Sequence, residues 1–192
     1  MQTDYETEGE KPMKEFEIRK GTPEDIEQIA ELYDAVNDYL ESHINYPGWR
    51  KGIYPVKEDA KDGVEKGTLY VLWADGKAAG SVVVNQFQEK GYETIAWKQE
   101  AKPEEVAVIH TFLVHPDFLG RGFGRNLLEF AEEIARELKR AVIRLDVNEK
   151  NTPAKKLYRK LGYCFAGRAD LGYGEYGIPW FELYEKSLTG KA

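Results

Sequence analysis

A glycine-rich turn between an apolar strand and an amphipathic helix constrains the fold of this chain more than any other feature. The turn lies within residues 115–128, which read HPDFLGRGFGRNLL. The segment before it, Val106 to Val114, is apolar on both faces, as in a buried strand. After the turn, apolar residues recur at helical spacing, at Phe123, Leu127, Ala131, Ile134 and Leu138. The sequence therefore predicts a buried strand that leads through a tight turn into an amphipathic helix.

The same turn is a candidate phosphate site. Gly120, Gly122 and Gly124 carry no side chains, so backbone N–H groups at the start of the helix can approach an anion closely. Arg121 and Arg125 add positive charge. The spacing differs from the dinucleotide fingerprint, because Arg125 occupies the place of its third glycine, and a Walker loop is absent. The glycines alone leave two interpretations open, a site for a phosphorylated ligand and a tight turn without a ligand.

A second motif follows the next apolar strand, which we expect from Ala141 to Val147. Residues 151–163 read NTPAKKLYRKLGY. Thr152 is a suitable helix N-cap, with Pro153 at the first helical position. Gly162 is a suitable residue to end that short helix.

Together the two motifs resemble the GCN5-related N-acetyltransferase (GNAT) superfamily. The matching residues are Val114-His115-Pro116, Gly122-Phe123-Gly124, Asn151-Thr152-Pro153-Ala154, Leu157-Tyr158 and Leu161-Gly162-Tyr163. The close match covers about residues 105 to 166. At one position the chain departs from the family, since Leu119 stands where a Gln or Arg opens the glycine motif. This change removes a side-chain contact and leaves the backbone donors in place.

The resemblance implies an α/β GNAT fold, with a mixed central sheet of about six to seven strands flanked by about four helices. A chain of 192 residues with 42% hydrophobic residues can bury the core of one such domain. We expect residues 15–190 to form a single acetyltransferase domain and the polar, acidic residues 1–14 to be a mobile tail. We also expect a hairpin turn at Asp75-Gly76 and a long polar connection from Phe87 to Glu104.

Composition argues against several other classes of protein. The formal net charge of −7 disfavours general binding of nucleic acid. Three histidines and one cysteine disfavour a structural zinc site, and no metal is expected. No apolar run approaches the roughly 18 residues of a membrane span. The lone Cys164, which we expect to pack on a strand, excludes an intramolecular disulfide and, with no signal peptide, predicts a cytoplasmic protein. A homodimer is left open.

The reaction that the resemblance implies is transfer of an acetyl group from acetyl-CoA to an amine, by direct attack in a ternary complex. The pyrophosphate would lie on the glycine turn, and the pantetheine beside the preceding strand. The implied cofactor-binding residues are Phe112, Leu113, Val114, Arg121, Gly122, Phe123, Gly124, Arg125 and Asn151. For Asn151, capping of the helix beside Thr152 is an alternative that is compatible with cofactor contact.

Two residues are candidates for catalysis. Tyr158 matches the family tyrosine that protonates or hydrogen-bonds the CoA sulfur, and the alternative is an aromatic residue that only packs its helix onto the sheet. His110 lies on the strand where related enzymes often carry a base, and a neutral imidazole can accept a proton at pH 7. The alternative is a core histidine bonded to the backbone. Glu104 and Glu105, at the start of that strand, are rival bases.

Aromatic residues crowd two loops that flank the acceptor pocket in the family. From these we expect Tyr39, Trp49 and Tyr173 to bind the substrate, with Asp34, Asp38 or Glu41 close enough to favour a cationic amine. Ordinary anchoring of the loops is the alternative. We expect an acetyltransferase for a small-molecule amine. The alternatives are acetylation of a protein N-terminus or lysine, and a non-catalytic acyl-CoA-binding module.

Overall fold

In the computed structural model, which describes residues 16–189, a seven-stranded sheet is covered by four α-helices. The strands are β1 (Phe16–Lys20), β2 (Leu69–Ala74), β3 (Lys77–Asn85), β4 (Val106–Val114), β5 (Val142–Asn148), β6 (Cys164–Ala169) and β7 (Phe181–Ser187). The helices are α1 (Ile26–Ser42), α2 (Lys57–Glu65), α3 (Phe123–Glu137) and α4 (Thr152–Lys160). The expected fold class and element count are confirmed. The tail expected at residues 1–14 lies outside the described residues.

The sheet is mixed, with the strand order β1-β2-β3-β4-β5-β7-β6. The pair β4–β5 is parallel, and every other neighbouring pair is antiparallel. Helix α3 connects β4 to β5, as a parallel pair requires a crossover. The hairpin between β2 and β3 turns at Asp75 and Gly76, both at positive φ, as the Asp-Gly pair predicts.

The parallel strands β4 and β5 separate at their carboxyl ends. Their pairing runs from Val106 opposite Val142 to Ile109 opposite Leu145 and then stops. Close to this point Thr111 has a φ of 44°, and the register between β3 and β4 shifts. Such a bulge bends a strand away from its neighbour. The second half of β4 therefore has β3 on one side and a gap on the side of β5.

Hydrophobic side chains fill both faces of the sheet. One face packs against α3 and α4, in a cluster that includes Leu127, Leu128, Ile143 and Tyr158. The other face packs against α1 and α2 over β2 and β3, and against the segment 87–104 over β4 and β7. Among residues 16–189, no helix combines the length and the apolar composition needed to cross a membrane.

Helix α1 follows a short 3-10 turn, Pro23–Asp25, that the sequence marks with a capping pattern. The Asp25 carboxylate accepts hydrogen bonds from the backbone N–H of Thr22 at 2.8 Å and from both terminal nitrogens of Arg19 at 2.6 and 2.9 Å. These contacts, chiefly the one with Arg19, lower the pKa of Asp25 to about 2. The helix start is thereby tied to β1.

Several local expectations were wrong. Asn151, and not Thr152, caps α4, because its side chain accepts a hydrogen bond from the backbone N–H of Ala154. The connection after Phe87 is not simply polar, since it places Tyr92 in the core. Cys164 lies on a strand but is exposed, because β6 is an edge strand. Leu138 is also half exposed, because the helix ends there.

Candidate active site

The glycine turn presents free backbone donors at the start of α3. Gly122 is the N-cap, with a φ of 84°, and its carbonyl accepts from the N–H groups of Arg125 and Asn126 at 3.0 and 3.2 Å. Within residues 16–189, the N–H groups of Gly122, Phe123 and Gly124 donate no hydrogen bond. They lie at the positive end of the helix dipole, where an anion is stabilised. This geometry suits a phosphate group.

The two arginines of the turn are already paired with carboxylates. Arg121 donates to Asp75 at 3.1 Å and lies over the ring of Phe118 at 4.8 Å. Arg125 lies 3.8 Å from the carboxylate of Glu129. Any anion on the turn would therefore depend first on backbone N–H groups and less on these side chains.

The gap beside β4 leads away from this turn. Among residues 16–189, no strand pairs with Phe112, Leu113 and Val114 on the side of β5. Gly124 packs closely between this edge and α4, since a Cβ atom there would lie 3.4 Å from the ring of Phe112 and 3.3 Å from Leu157. Backbone groups along such an unpaired edge can bind an extended ligand as an added strand would.

Asn151 lies across the gap, between β5 and α4. Its Oδ1 accepts the capping hydrogen bond from Ala154 at 3.2 Å, so the capping role is observed. In the described part of the chain its amide nitrogen has no hydrogen-bond partner. The side chain can therefore cap the helix and donate to a ligand at the same time.

Tyr158 reaches the same gap from α4. The residue is 5% exposed, and its ring centre lies 6.2 Å from that of Phe112. Its hydroxyl makes no hydrogen bond to any residue from 16 to 189. Burial, and then the negative charge of Asp146, raise the pKa of Tyr158, so the phenol stays protonated at neutral pH. A buried phenol without a partner can donate a proton or a hydrogen bond to a ligand atom in the gap.

His110 is half-buried on β4, opposite Val83 of β3. Its Nε2 lies 3.0 Å from the carbonyl oxygen of Phe87. A carbonyl only accepts, so Nε2 donates and Nδ1 is unprotonated in the neutral ring. Burial lowers the pKa of His110, so the ring is neutral at pH 7. This hydrogen bond is the one expected of a core histidine, and the role of His110 as a base stays a prediction.

The rival bases Glu104 and Glu105 lie elsewhere. Both precede β4, at the end opposite to the gap. The carboxylate of Glu105 accepts from the backbone N–H of Lys102 at 2.9 Å and so closes a short turn. Their position makes them poor candidates.

Asp146 is a residue that the sequence interpretation missed. It follows Leu145, the last residue of β5 that pairs with β4. Its Oδ2 accepts a hydrogen bond from the hydroxyl of Tyr92 at 2.8 Å. Burial raises the pKa of Asp146 to about 6, against the effect of that hydrogen bond. The available signal was an acid within an otherwise apolar strand, AVIRLDV, because unpaired acids are seldom buried without a role.

Two aromatic loops meet over the gap. From the loop after α1, Tyr54 bonds to Thr111 at 2.6 Å between hydroxyl oxygens, and the ring of Trp49 packs edge-on against Tyr54 at 5.6 Å. From the loop before β7, Tyr173 donates to Glu89 at 3.2 Å. The loops also touch each other, since Arg50 donates to the backbone carbonyl of Tyr176 at 3.1 Å. The structure thus places Trp49 and Tyr173 on two loops that contact each other, and their role in binding a substrate stays a prediction.

The remaining acceptor candidates face a different environment. Tyr39 stacks on His43, with ring centres 3.9 Å apart. The three acids on α1, Asp34, Asp38 and Glu41, are exposed. The hydrogen bond that Lys51 donates to Asp38, followed by the charges of all three acids, raises the pKa of Lys51. The negative charge that was expected to attract an amine is therefore offset at this position by Lys51.

Within the described residues, no three His, Cys, Asp or Glu side chains come together in a way that could bind a metal ion. The chemistry available at the gap is that of backbone donors, a phenol, a carboxylate and an imidazole.

Comparison with known proteins assigns these features to one family. A family model described as the acetyltransferase (GNAT) family matches residues 29–163, which include the turn, the gap and α4. An uncharacterised N-acetyltransferase of Methanocaldococcus jannaschii is 29% identical over 154 residues, which cover 79% of this chain and 62% of the relative. The match thus spans less than two thirds of that relative. A streptothricin acetyltransferase of Escherichia coli is 27% identical and covers 73% of this chain and 79% of its own length.

Solved structures share the fold. A GNAT-family acetyltransferase of Streptococcus agalactiae superposes with a TM-score of 0.74 at 24% identity, covering 92% of this chain and 96% of that protein. YncA of Salmonella typhimurium, solved with its cofactor acetyl-CoA, superposes with a TM-score of 0.67 at 17% identity and covers 93% and 96% of the two chains.

Proposed function

This chain belongs to the GNAT acetyltransferase family, and we propose that it transfers the acetyl group of acetyl-CoA to the primary amine of a small molecule. The observation that carries the proposal is the gap between β4 and β5, which opens beside unpartnered N–H donors at the start of α3. The donors suit a phosphate group, and the unpaired strand edge beside them suits an extended chain. Together they suit a long ligand with a pyrophosphate at one end.

In this proposal the pyrophosphate of acetyl-CoA lies on the N–H groups of residues 122–124. The pantetheine arm runs along the free edge of Phe112, Leu113 and Val114, within reach of the amide nitrogen of Asn151. The thioester then lies near Tyr158, whose ring is adjacent to that of Phe112. Arg121 and Arg125 contribute at longer range, because both are already paired.

The chemistry needs few groups. The neutral amine attacks the thioester carbon, and backbone N–H groups of the free edge of β4 stabilise the oxyanion that forms. The carbon–sulfur bond then breaks, Tyr158 donates a proton to the departing sulfur, and the tyrosine recovers a proton from the nitrogen as the amide forms. Amine and thioester react directly, so both substrates must be bound at once.

The contacts between the two aromatic loops favour a small acceptor. Arg50 bonds to the loop before β7, and Asn148 donates to the carbonyl of Pro47 at 3.2 Å, so the two loops and the end of β5 are tied together. The surface of a folded protein could approach the thioester only if these contacts opened. One relative is, moreover, named for streptothricin and not for a protein acceptor.

An acceptor screen tests the proposal. Release of CoA from acetyl-CoA is followed with a thiol reagent, in the presence of free amines, amino acids, N-terminal peptides and lysine-containing peptides. We expect release with one or more free amines and little with peptides. Faster release with peptides would indicate a protein acetyltransferase. If the protein binds acetyl-CoA but releases no CoA with any acceptor, it is a non-catalytic binding module.

A further inference from the structure

We propose that Asp146 is the group that accepts the proton of the acceptor amine, and that Tyr92 positions its carboxylate. The inference rests on the proposed function and adds to it the identity of the base. It starts from the position of Asp146 in the sheet, beside the point where β4 and β5 part.

Asp146 lies where the paired part of the parallel strands ends. The residue comes directly after the last β4–β5 pair, so the gap begins beside it. It is half-buried, and its Oδ2 is held by the hydroxyl of Tyr92 at 2.8 Å. Among residues 16–189, no other residue donates to its second carboxylate oxygen, Oδ1. That oxygen is available to a ligand.

The negative charge of Asp146 affects tyrosines on three other segments of the chain. It contributes to the raised pKa of Tyr54 from the loop after α1, of Tyr173 from the loop before β7, and of Tyr158 on α4. The first two tyrosines belong to the acceptor loops, and the third is the proposed donor to sulfur. The position of Asp146 at the end of the β4–β5 pairing is thus close enough to both the acceptor loops and α4 for its charge to affect them.

The other charged groups near Asp146 are committed elsewhere. Glu89 accepts from Tyr173, and His110 on the neighbouring strand donates to Phe87. Arg144, two residues earlier on β5, donates to Gln88 and Gln99 and lies 3.9 Å from Glu185. No cation among the described residues makes an ion pair with Asp146. An ammonium group would supply the missing positive partner.

Burial makes this carboxylate a stronger base than an exposed one. Its pKa of about 6 leaves it mostly ionised at pH 7, and it holds a proton more tightly than an ordinary aspartate does. Tyr92 opposes the effect of burial, because its hydroxyl stabilises the ionised form.

The proton balance closes without another reactant. The acceptor enters as an ammonium ion and gives one proton to Oδ1 of Asp146. The freed nitrogen lone pair forms the bond to the acetyl carbon, and the carbon–sulfur bond breaks. Tyr158 gives its proton to sulfur and recovers one from the nitrogen. The products are the amide, the thiol of CoA and protonated Asp146, which returns its proton to water.

The test uses four variants of the full chain. Asp146→Asn keeps the shape of the side chain, Tyr92→Phe removes only the positioning hydroxyl, and His110→Gln removes the rival base. Asp62→Asn, on the exposed face of α2, controls for the loss of one negative charge. For each, kcat/KM is measured against pH with the two fastest amines of the acceptor screen, and binding of acetyl-CoA is measured by thermal shift.

For wild type we expect kcat/KM to rise with pH through an ionisation near pH 6. This rising limb of the pH profile should be common to both amines. Asp146→Asn should lose this limb, with kcat/KM at pH 7 lower by on the order of 10²-fold or more, and still bind acetyl-CoA. Tyr92→Phe should shift the limb to higher pH, because the ionised carboxylate loses its donor. His110→Gln and Asp62→Asn should retain the limb where it is.

Other outcomes overturn the inference. An Asp146→Asn protein with wild-type rate and pH profile would exclude Asp146 as the base while leaving the acetyltransferase activity intact. Loss of the limb in His110→Gln alone would assign the role to His110. If Asp146→Asn does not fold, an unmoved limb in Tyr92→Phe overturns the inference. Absence of CoA release by wild type with every amine would overturn the proposed function, and this inference with it.

Discussion

At the scale of single residues, burial changes Tyr158 and Asp146 in ways that suit opposite roles. Burial is the largest cause of the raised pKa of each. For the phenol, the shift ensures that a proton is present to donate. For the carboxylate, it strengthens the hold on a proton once accepted. An acid and a base of this kind can act in one reaction at neutral pH because their environments keep their pKa values apart.

The role of Tyr158 can be separated from its packing. Tyr158→Phe keeps the ring contacts with Phe112, Tyr163 and Tyr184 and removes only a hydroxyl that has no partner among the described residues. We expect kcat to fall by on the order of 10-fold to 10²-fold, with little change in melting temperature or in acetyl-CoA affinity. Unchanged kcat together with a lower melting temperature would show that the residue only packs the helix.

The raised pKa of Asp146 also predicts how stability depends on pH. A carboxyl group whose pKa is raised by folding favours the folded state below about pH 4, and this contribution is lost as pH rises through 6. Asp146→Asn should therefore be more stable than wild type at pH 8, by at most about 3 kcal/mol, and about equally stable at pH 4.

Melting temperatures of the two proteins between pH 4 and pH 8 check this. Asp62→Asn, which removes a carboxylate of α2 paired with Lys66, should show no such divergence. If the difference in melting temperature between Asp146→Asn and wild type does not grow with pH, burial does not destabilise the ionised carboxyl of Asp146.

The resemblance to the GNAT family pointed to Tyr158 and Asn151, which match its motif on and directly before a short helix that can be read locally. Asp146 could not be found in this way. Its significance comes from the end of the β4–β5 pairing and from Tyr92, which is 54 positions away in sequence. The sequence also offered Thr152 as the cap of α4, but the amide oxygen of Asn151 is the acceptor used.

At the scale of elements, the gap follows from a bulge in one strand. The bounds of β4 agree with the apolar run from Val106 to Val114, which a local pattern can predict. The positive φ of Thr111 and the shift in register cannot be predicted from that run, because they depend on which residues of β3 lie opposite. The bulge ends one pairing and so exposes the backbone that we assign to the pantetheine arm.

The glycine turn gives a prediction at the same scale. Acetyl-CoA should raise the melting temperature of wild type through mass action, and Gly122→Val should abolish most of that rise. A branched side chain at a φ of 84° is strained and would cover the N–H donors. The strain alone should cost about 1–2 kcal/mol of stability.

Gly172→Val is a matched control, because Gly172 has a φ of 87° and nothing within 4 Å of an added Cβ. It carries the same kind of strain in a loop outside the turn, and its response to acetyl-CoA should be normal. A normal response in folded Gly122→Val would contradict the phosphate assignment.

At the scale of the whole molecule, three segments that are distant in sequence close around the gap. They are the loop after α1, the connection after β3 and the loop before β7, which supply Tyr54, Tyr92 and Tyr173. In the sequence, clusters of aromatic residues already marked the loop after α1 and the loop before β7. The connection after β3 read as polar, because its apolar residues follow no helical or strand period.

The overall charge of −7 affects the two substrates differently. A negative surface attracts a cationic amine and repels acetyl-CoA, which carries phosphates. Binding of the anionic substrate must therefore rely on local donors such as the free N–H groups of the turn. This division agrees with the proposed arrangement, in which Asp146 and Glu89 lie toward the acceptor and the start of α3 binds the cofactor.

In the proposed reaction an amine attacks acetyl-CoA directly while both are bound. Initial rates of CoA release over a grid of acetyl-CoA and amine concentrations test it, with mass spectrometry of the product and of the enzyme. We predict double-reciprocal lines that intersect, one N-acetylated amine per CoA released, and no acetylated enzyme in the absence of amine. Parallel lines with an acetylated enzyme, or CoA release without an N-acetylated product, would contradict the account.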